Sequence, residues 1–278
     1  MSGQLFVGMA VALAAFGLSA ADVRTVAVKS ALMNKDVPVS VILPKGYDAS
    51  SARYPVVYML HGAGNDHRTY VHESVLALVD RHQVIAVCPF GGASWWMDSP
   101  VLPWMRYESF VTRELVPYVD AAFRTRPTRG GRALVGHSMG GHGACFIGFR
   151  NRQMFSAVGN VMGGVDLRPF SSRADLRKLL GSPEEHPADW ERFSAVSEAA
   201  KLRNGDIQLT TVVGTGDFFF GVNRAMHELL SSNRVAHVHL EIRGADDEHS
   251  THTRTFAYEA MPIVFGRISE VFADDGSK

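Results

Sequence analysis

The sequence predicts an α/β fold with a mostly parallel central sheet flanked by helices on both faces. Short apolar runs alternate with amphipathic helical stretches along most of the chain. Two of the runs, residues 54–60 and 84–88, are almost wholly apolar, as strands buried on both faces are. Residues 132–135 then lead straight into Gly136-His137-Ser138-Met139-Gly140 and a helical stretch, a sharp turn from strand to helix.

The elements follow in order. Residues 5–18 are apolar and alanine-rich, and Ser19-Ala20-Ala21 supplies the small residues a signal peptidase accepts. Residues 1–21 therefore read as an export signal, and residues 22–278 as one α/β domain. Residues 23–29 and 37–43 are expected as strands joined in a hairpin through Asn34-Lys35, before a turn at Pro44-Lys45-Gly46-Tyr47. Strand 54–60, helix 71–81 and strand 84–88 come next. Residues 109–123 read as a helix despite Pro117. The strand 132–135, the helix 142–147 and the strand 157–162 surround the central turn. Residues 207–213 and 237–242 are the last expected strands, with a helix at 223–230 between them. A final amphipathic helix spans 255–272, its apolar face built from Phe256, Met261, Val264, Ile268 and Val271. Residues 166–204 break the alternation with prolines and many charges. They read as a helical insertion that forms a lid, a pocket wall or a surface excursion.

Hydrophobic residues make up 46% of the 278, enough for a large core. Lysine plus arginine equals aspartate plus glutamate at 28 each, and no basic run suggests nucleic acid. Cys88 and Cys145 both sit in apolar runs and read as buried small hydrophobes. Beyond the signal, no segment is apolar enough to expect a membrane span. His237 and His239 alternate on one expected strand, but no cysteine or carboxylate at ligand spacing supports a metal. No dinucleotide fingerprint or phosphate-cradling loop points to a cofactor.

The chemistry centres on Ser138. Glycines two residues to either side permit a strained turn that lifts its hydroxyl to the start of a helix. A serine hydroxyl needs a base to become nucleophilic, and the base needs a carboxylate to orient it. In α/β-hydrolases these partners follow in the order serine, acid, histidine. Asp217 follows Gly214-Thr215-Gly216 at the end of strand 207–213, on the same sheet edge as Ser138. Asp206 lies at the opposite end of that strand. His249 and His252 share the loop before the last helix, and spacing alone leaves both open as the base.

The oxyanion needs backbone amides. One is expected from Met139 and the second from Ala63, with Gly62 as the alternative. His61 reads as a brace of that loop, at the edge of the substrate pocket. Trp95, Trp96 and Asp98 are expected as pocket walls, since aromatic rings stack on flat apolar faces. Phe218-Phe219-Phe220 reads as core.

Several stretches together resemble the esterase D-like family of α/β-hydrolases, which includes tributyrin, feruloyl and acetylxylan esterases, S-formylglutathione hydrolases and antigen 85 mycolyltransferases. They are Tyr54-Pro55-Val56-Val57-Tyr58-Met59-Leu60-His61-Gly62, Ser94-Trp95-Trp96-Met97-Asp98-Ser99-Pro100, Glu114-Leu115-Val116-Pro117-Tyr118-Val119-Asp120, Gly136 to Ala144 and Gly214-Thr215-Gly216-Asp217-Phe218. The resemblance implies the α/β-hydrolase fold, Ser138 as nucleophile and Asp217 as acid. The family closes with glycine-glycine-histidine and tryptophans, whereas Gly244 to His252 has extra residues and no tryptophan. Met261-Pro262 looks like a leucine-proline pair of the family and aligns His252 with the base, with His249 as the alternative.

The expected function is that of an exported serine carboxylic-ester hydrolase, secreted or periplasmic, without cofactor or metal. Its expected substrate is a small-molecule or carbohydrate ester, such as an acetyl or feruloyl ester of a polysaccharide. An acyltransferase of antigen 85 type and a non-catalytic binding protein of the same fold are the alternatives.

Overall fold

The computed structural model describes residues 21–243 and 252–276. The expected signal segment and His249 therefore lie outside the described residues, apart from Ala21.

β1 (Asp22–Ser30) and β2 (Lys35–Leu43) form the expected antiparallel hairpin, with Asn34 in the left-handed region at φ 49°. β3 (Val56–Leu60), α1 (Glu73–His82) and β4 (Ile85–Pro89) follow. The helix around Pro117 is continuous but not uniform. α2 (Tyr107–Ser109) passes through a π-helical stretch, Phe110–Leu115, into α3 (Val116–Ala122). A proline ring clashes with the carbonyl four residues before it in a regular α-helix, and the wider turn ahead of Pro117 relieves that clash.

β5 (Arg132–His137) leads into α4 (Met139–Arg150), which is longer at both ends than the sequence suggests, and β6 (Ala157–Val161) follows. Residues 166–204 hold the short helices α5 (Ala174–Leu180), α6 (Pro187–Arg192) and α7 (Ala195–Ala199). β7 (Gln208–Gly214), α8 (Phe220–Ser232), β8 (Val238–Ile242) and α9 (Arg254–Gly276) complete the described chain.

The strands form one eight-stranded sheet in the order β1-β2-β4-β3-β5-β6-β7-β8. The pairings β1–β2 and β2–β4 are antiparallel, and all others are parallel. This is the α/β-hydrolase arrangement. Side chains of β3 alternate between the two faces. Val56, Tyr58 and Leu60 join one core layer with Phe110, Phe146 and Leu230, and Val57 and Met59 join the other with Val79, Met261 and Val264. Each of these aliphatic side chains contributes about 1.5–3 kcal/mol on leaving water. Both faces are covered, which is why the run 54–60 shows no polar alternation.

The parallel strands point the same way, so their C-terminal ends share one edge of the sheet. Ser138 follows β5, His61 follows β3, and Asp217 lies just past β7. Ligand sites of open parallel sheets lie at this edge.

Candidate active site

The turn at Ser138 is strained in the way its glycines require. Ser138 has φ 55° and ψ −122°, and its N–H donates to the Val161 carbonyl at 3.0 Å. A Cβ on Gly136 would run into the Gly140 carbonyl, and a Cβ on Gly140 into the Leu60 carbonyl. Both obstacles are backbone, so neither can swing away. Ser138 is half-buried in an otherwise buried turn.

His252 lies between the other two residues. Its Nε2 is 2.7 Å from Ser138 Oγ, and its Nδ1 is 2.7 Å from Asp217 Oδ2. The Asp217 carboxylate accepts only, so the Nδ1 side carries the proton and Nε2 accepts from the serine hydroxyl. Asp217 is buried, and its other oxygen accepts the Phe219 N–H at 2.7 Å. The sequence order serine, acid, histidine thus converges in space. Asp206 is elsewhere, where it accepts the Arg203 N–H and pairs with Arg152.

Phe218 departs from the expected core role. It is 53% exposed, and its ring centre lies 4.2 Å from that of His252. Phe219 is buried and meets the same imidazole edge-on at 5.5 Å. The two rings confine His252 while leaving its Nε2 edge toward Ser138.

The loop after β3 packs against the nucleophile. A Cβ on Gly62 would meet His137 Nε2 at 2.7 Å and Ser138 Cβ at 3.3 Å, so only glycine lets this backbone approach. Ala63, just beyond, is exposed. Met139 is the first residue of α4, so its N–H lacks an intrahelical partner. His61 braces the loop. Its Nε2 accepts the Gly91 N–H at 2.8 Å, which leaves Nδ1 to donate to the Gly62 carbonyl at 2.8 Å.

Trp95, Trp96 and Asp98 require a correction. Both tryptophans are buried, at 1% and 0% exposure, and have no surface for a ligand. They take left-handed conformations, φ 51° and 59°. Trp96 Nε1–H donates to the His61 carbonyl at 3.1 Å and Trp95 Nε1–H to Asp175 at 3.0 Å. Asp98 accepts from the Ser109 amide and hydroxyl and pairs with Arg106. The two tryptophans hold the loops behind the site and wall no pocket, whereas Asp98 lines a polar cavity with Arg106, Glu108 and Arg150 that none of Ser138, Asp217 and His252 borders. The physical reason is the tryptophans' hydrogen-bonding tips, which find buried acceptors and draw the rings inward.

Two further arrangements had weak sequence signals. Tyr70 donates its hydroxyl to the Leu60 carbonyl at 3.0 Å and lies 2.7 Å from His137 Nδ1, which therefore donates to it. Burial lowers His137 to about 3, helped by the nearby charges of His252, His61 and Arg254, so its ring stays neutral. Asn160, a polar residue inside the apolar run of β6, is fully buried beside Asn223. Its polarity there was the available clue.

Among the described residues, no group of three or more histidine, cysteine, aspartate or glutamate side chains is placed to hold a metal. None of their helices is long and apolar enough to cross a membrane. Cys88 and Cys145 are free and buried.

An α/β-hydrolase sheet that brings a serine, a histidine and an aspartate together at its C-terminal edge defines a class of hydrolase-fold proteins. Within that class, the chain belongs to the family described as "Putative esterase", whose model matches residues 30–259. It is 35% identical over 135 residues to esterase Rv1288 of Mycobacterium tuberculosis, covering 47% of this chain and 30% of that protein. The chain thus spans less than a third of that relative's length. It is 28% identical over 213 residues to S-formylglutathione hydrolase of Rattus norvegicus, covering 68% of this chain and 72% of that protein. A ferulic acid esterase structure superposes with TM-score 0.76 at 22% identity, covering 91% of this chain and 100% of the other.

Proposed function

We propose that the protein is an exported serine carboxylic-ester hydrolase acting through Ser138, His252, Asp217 and an acyl-enzyme. The observation that carries this reading is the position of His252, within 2.7 Å of both Ser138 Oγ and Asp217 Oδ2. Family membership supports it independently.

Ser138 Oγ attacks the ester carbonyl as His252 Nε2 takes its proton. Asp217 holds the imidazole in the required tautomer and stabilises the imidazolium. The amides of Met139 and Ala63 face the developing oxyanion, a contribution of several kcal/mol where such donors are preorganised, roughly 2.7–4 kcal/mol each. The imidazolium then protonates the leaving alkoxide, and the ester bond breaks. Water, activated by the same nitrogen, attacks the acyl-serine and releases the acid.

The acyl group is acetyl or feruloyl, and the alcohol a carbohydrate or small molecule. Residues 1–21 direct the chain out of the cytosol, which places it with extracellular or periplasmic esters. Ser138→Ala removes hydrolysis of p-nitrophenyl acetate, p-nitrophenyl butyrate and methyl ferulate; full activity in that variant overturns the reading. Product analysis with a sugar acceptor distinguishes hydrolysis from acyl transfer.

A further inference from the structure

A polar cavity of about 340 Å3 is lined among others by Gly64, Asn65, Arg68, Thr69, Arg254 and Tyr258, residues close in the chain to Ala63 and His252. It begins one residue beyond Ala63 and two residues beyond His252. Its chemistry is uneven. Arg68 is held by Asp66 at 2.6 Å, and Asn65 donates its amide to the Ala63 carbonyl at 2.9 Å. Tyr258 donates to the Thr69 carbonyl at 2.7 Å and stacks on His72, which fixes the far wall. Arg254 is exposed and makes no hydrogen bond or ion pair to another described residue. It is also the first residue of α9, a 23-residue helix with no acid in its first turn. A cation at a helix N-terminus is unfavourably placed on its own, and an anion beside it satisfies both the guanidinium and the helix end.

We propose that this cavity is a leaving-group subsite in which Arg254 binds a carboxylate carried by the alcohol half of the ester. The assignment rests on the esterase reading above for its direction. His252 hands its proton to the leaving oxygen, so the alcohol lies on the imidazole's side of the scissile bond, and Arg254 follows His252 by two residues at the start of α9. The acyl half lies toward Ser138. A guanidinium recognises a carboxylate with two parallel N–H···O bonds, which a neutral amide cannot reproduce.

The test compares two esters of one size, 3-acetoxybenzoate and 3-acetoxybenzamide, each corrected for its uncatalysed hydrolysis. The wild type favours the anionic ester in kcat/KM, and Arg254→Gln lowers the anionic-to-neutral ratio about tenfold, the effect of losing one charge-assisted contact. Arg254→Lys retains part of the preference, because charge remains while the fork is lost. Arg68→Gln changes the ratio less, since Asp66 already holds that side chain. An unchanged ratio in Arg254→Gln overturns the proposal. Calorimetric binding of 3-hydroxybenzoate and 3-hydroxybenzamide gives a readout free of catalysis. Tighter binding of the carboxylate, lost in Arg254→Gln, supports the subsite even if neither ester is hydrolysed faster than by Ser138→Ala, an outcome that sinks the esterase reading alone. Equal binding of the two phenols overturns the subsite.

Discussion

Asn160 Nδ2 donates to Asn223 Oδ1 at 2.7 Å, and this bond ties the strand beside the nucleophile to the helix behind the acid. Both side chains are fully buried. Asn160 Oδ1 accepts the Gly163 N–H at 3.0 Å and occupies the space that a Cβ on Gly141, at the start of α4, would take. Asn223 Nδ2 donates to the carbonyls of Gly163 and Phe219 at 2.7 and 2.8 Å. Phe219 in turn holds Asp217 through its amide. Serine and acid are thus registered through a pair of amides that touches neither.

Removing that pair loosens both loops. Asn223→Ala leaves the Gly163 and Phe219 carbonyls and the Asn160 amide without this partner, at a cost of about 2 kcal/mol or more. Asn223→Asp has the same shape but no donors, and it places a carboxylate against two carbonyls, so it is the more damaging change. Urea unfolding gives the stabilities. In both variants turnover falls more than KM rises, because the acid's position changes and the substrate's surroundings do not. An Asn223→Asp protein as stable and active as the wild type contradicts this role.

Asp217→Asn tests the orienting role directly. The amide fits the same space but can present its NH2 to His252, which favours the tautomer with its proton on Nε2, facing Ser138. The hydroxyl then has no base. In serine hydrolases built this way the loss is about 10⁴-fold in kcat, and a similar fall is expected here for p-nitrophenyl acetate, with folding retained. A loss below tenfold means that the carboxylate does not set the tautomer.

The glycines of the elbow and those of the surface differ in why they are glycine. Gly140→Ala drives a methyl into the Leu60 carbonyl and Gly136→Ala into that of Gly140, so both variants are expected to be insoluble or melt far below the wild type. Gly46 has φ 80° but open space around its Cα, so alanine there costs only the left-handed conformation, about 1 kcal/mol. Soluble yield and thermal melting of the three variants separate steric need from backbone preference.

What was legible in the sequence follows the same division. Strands buried on both faces announce themselves as apolar runs, and the elbow announces itself through glycines whose absence would be a collision. The serine-acid-histidine order marked Asp217 and narrowed the third residue to His249 or His252, and His252 is the one the described residues bring to Ser138. The tryptophans misled because aromatic size signals burial and binding equally; only their N–H partners, Asp175 and the His61 carbonyl, separate the two. Phe218 misled in reverse. Its neighbours are core, but one residue of offset in a tight turn reverses which way a side chain faces. The pairing of Asn160 with Asn223 spans 63 residues, and nothing local encodes it.

Acid sensitivity follows from the buried histidines. Burial lowers His137 to about 3 and His142 to about 4, although the carbonyls of Phe193 and Trp95 pull His142 the other way. Unfolded, both have the ordinary value near 6.5. Between pH 6.5 and 4 the unfolded chain therefore binds protons that the folded chain refuses. The stability these rings contribute is present in full above pH 6.5 and is lost as pH falls toward 4 for His142 and toward 3 for His137. Each ring accounts for a slope of up to about 1.4 kcal/mol per pH unit in that window. His61, His67, His82 and His239 are also lowered by burial and add in the same direction. The lowered carboxyls of Asp66, Asp166 and Asp175 act only below about pH 4. His142→Gln stays neutral throughout, so the difference between its pH profile and that of the wild type isolates one ring. Urea midpoints at pH 7, 5.5 and 4.5 should fall steeply for the wild type and less steeply for the variant. Parallel profiles would mean that His142 takes up its proton in the folded protein, with both carbonyls satisfied by an imidazolium.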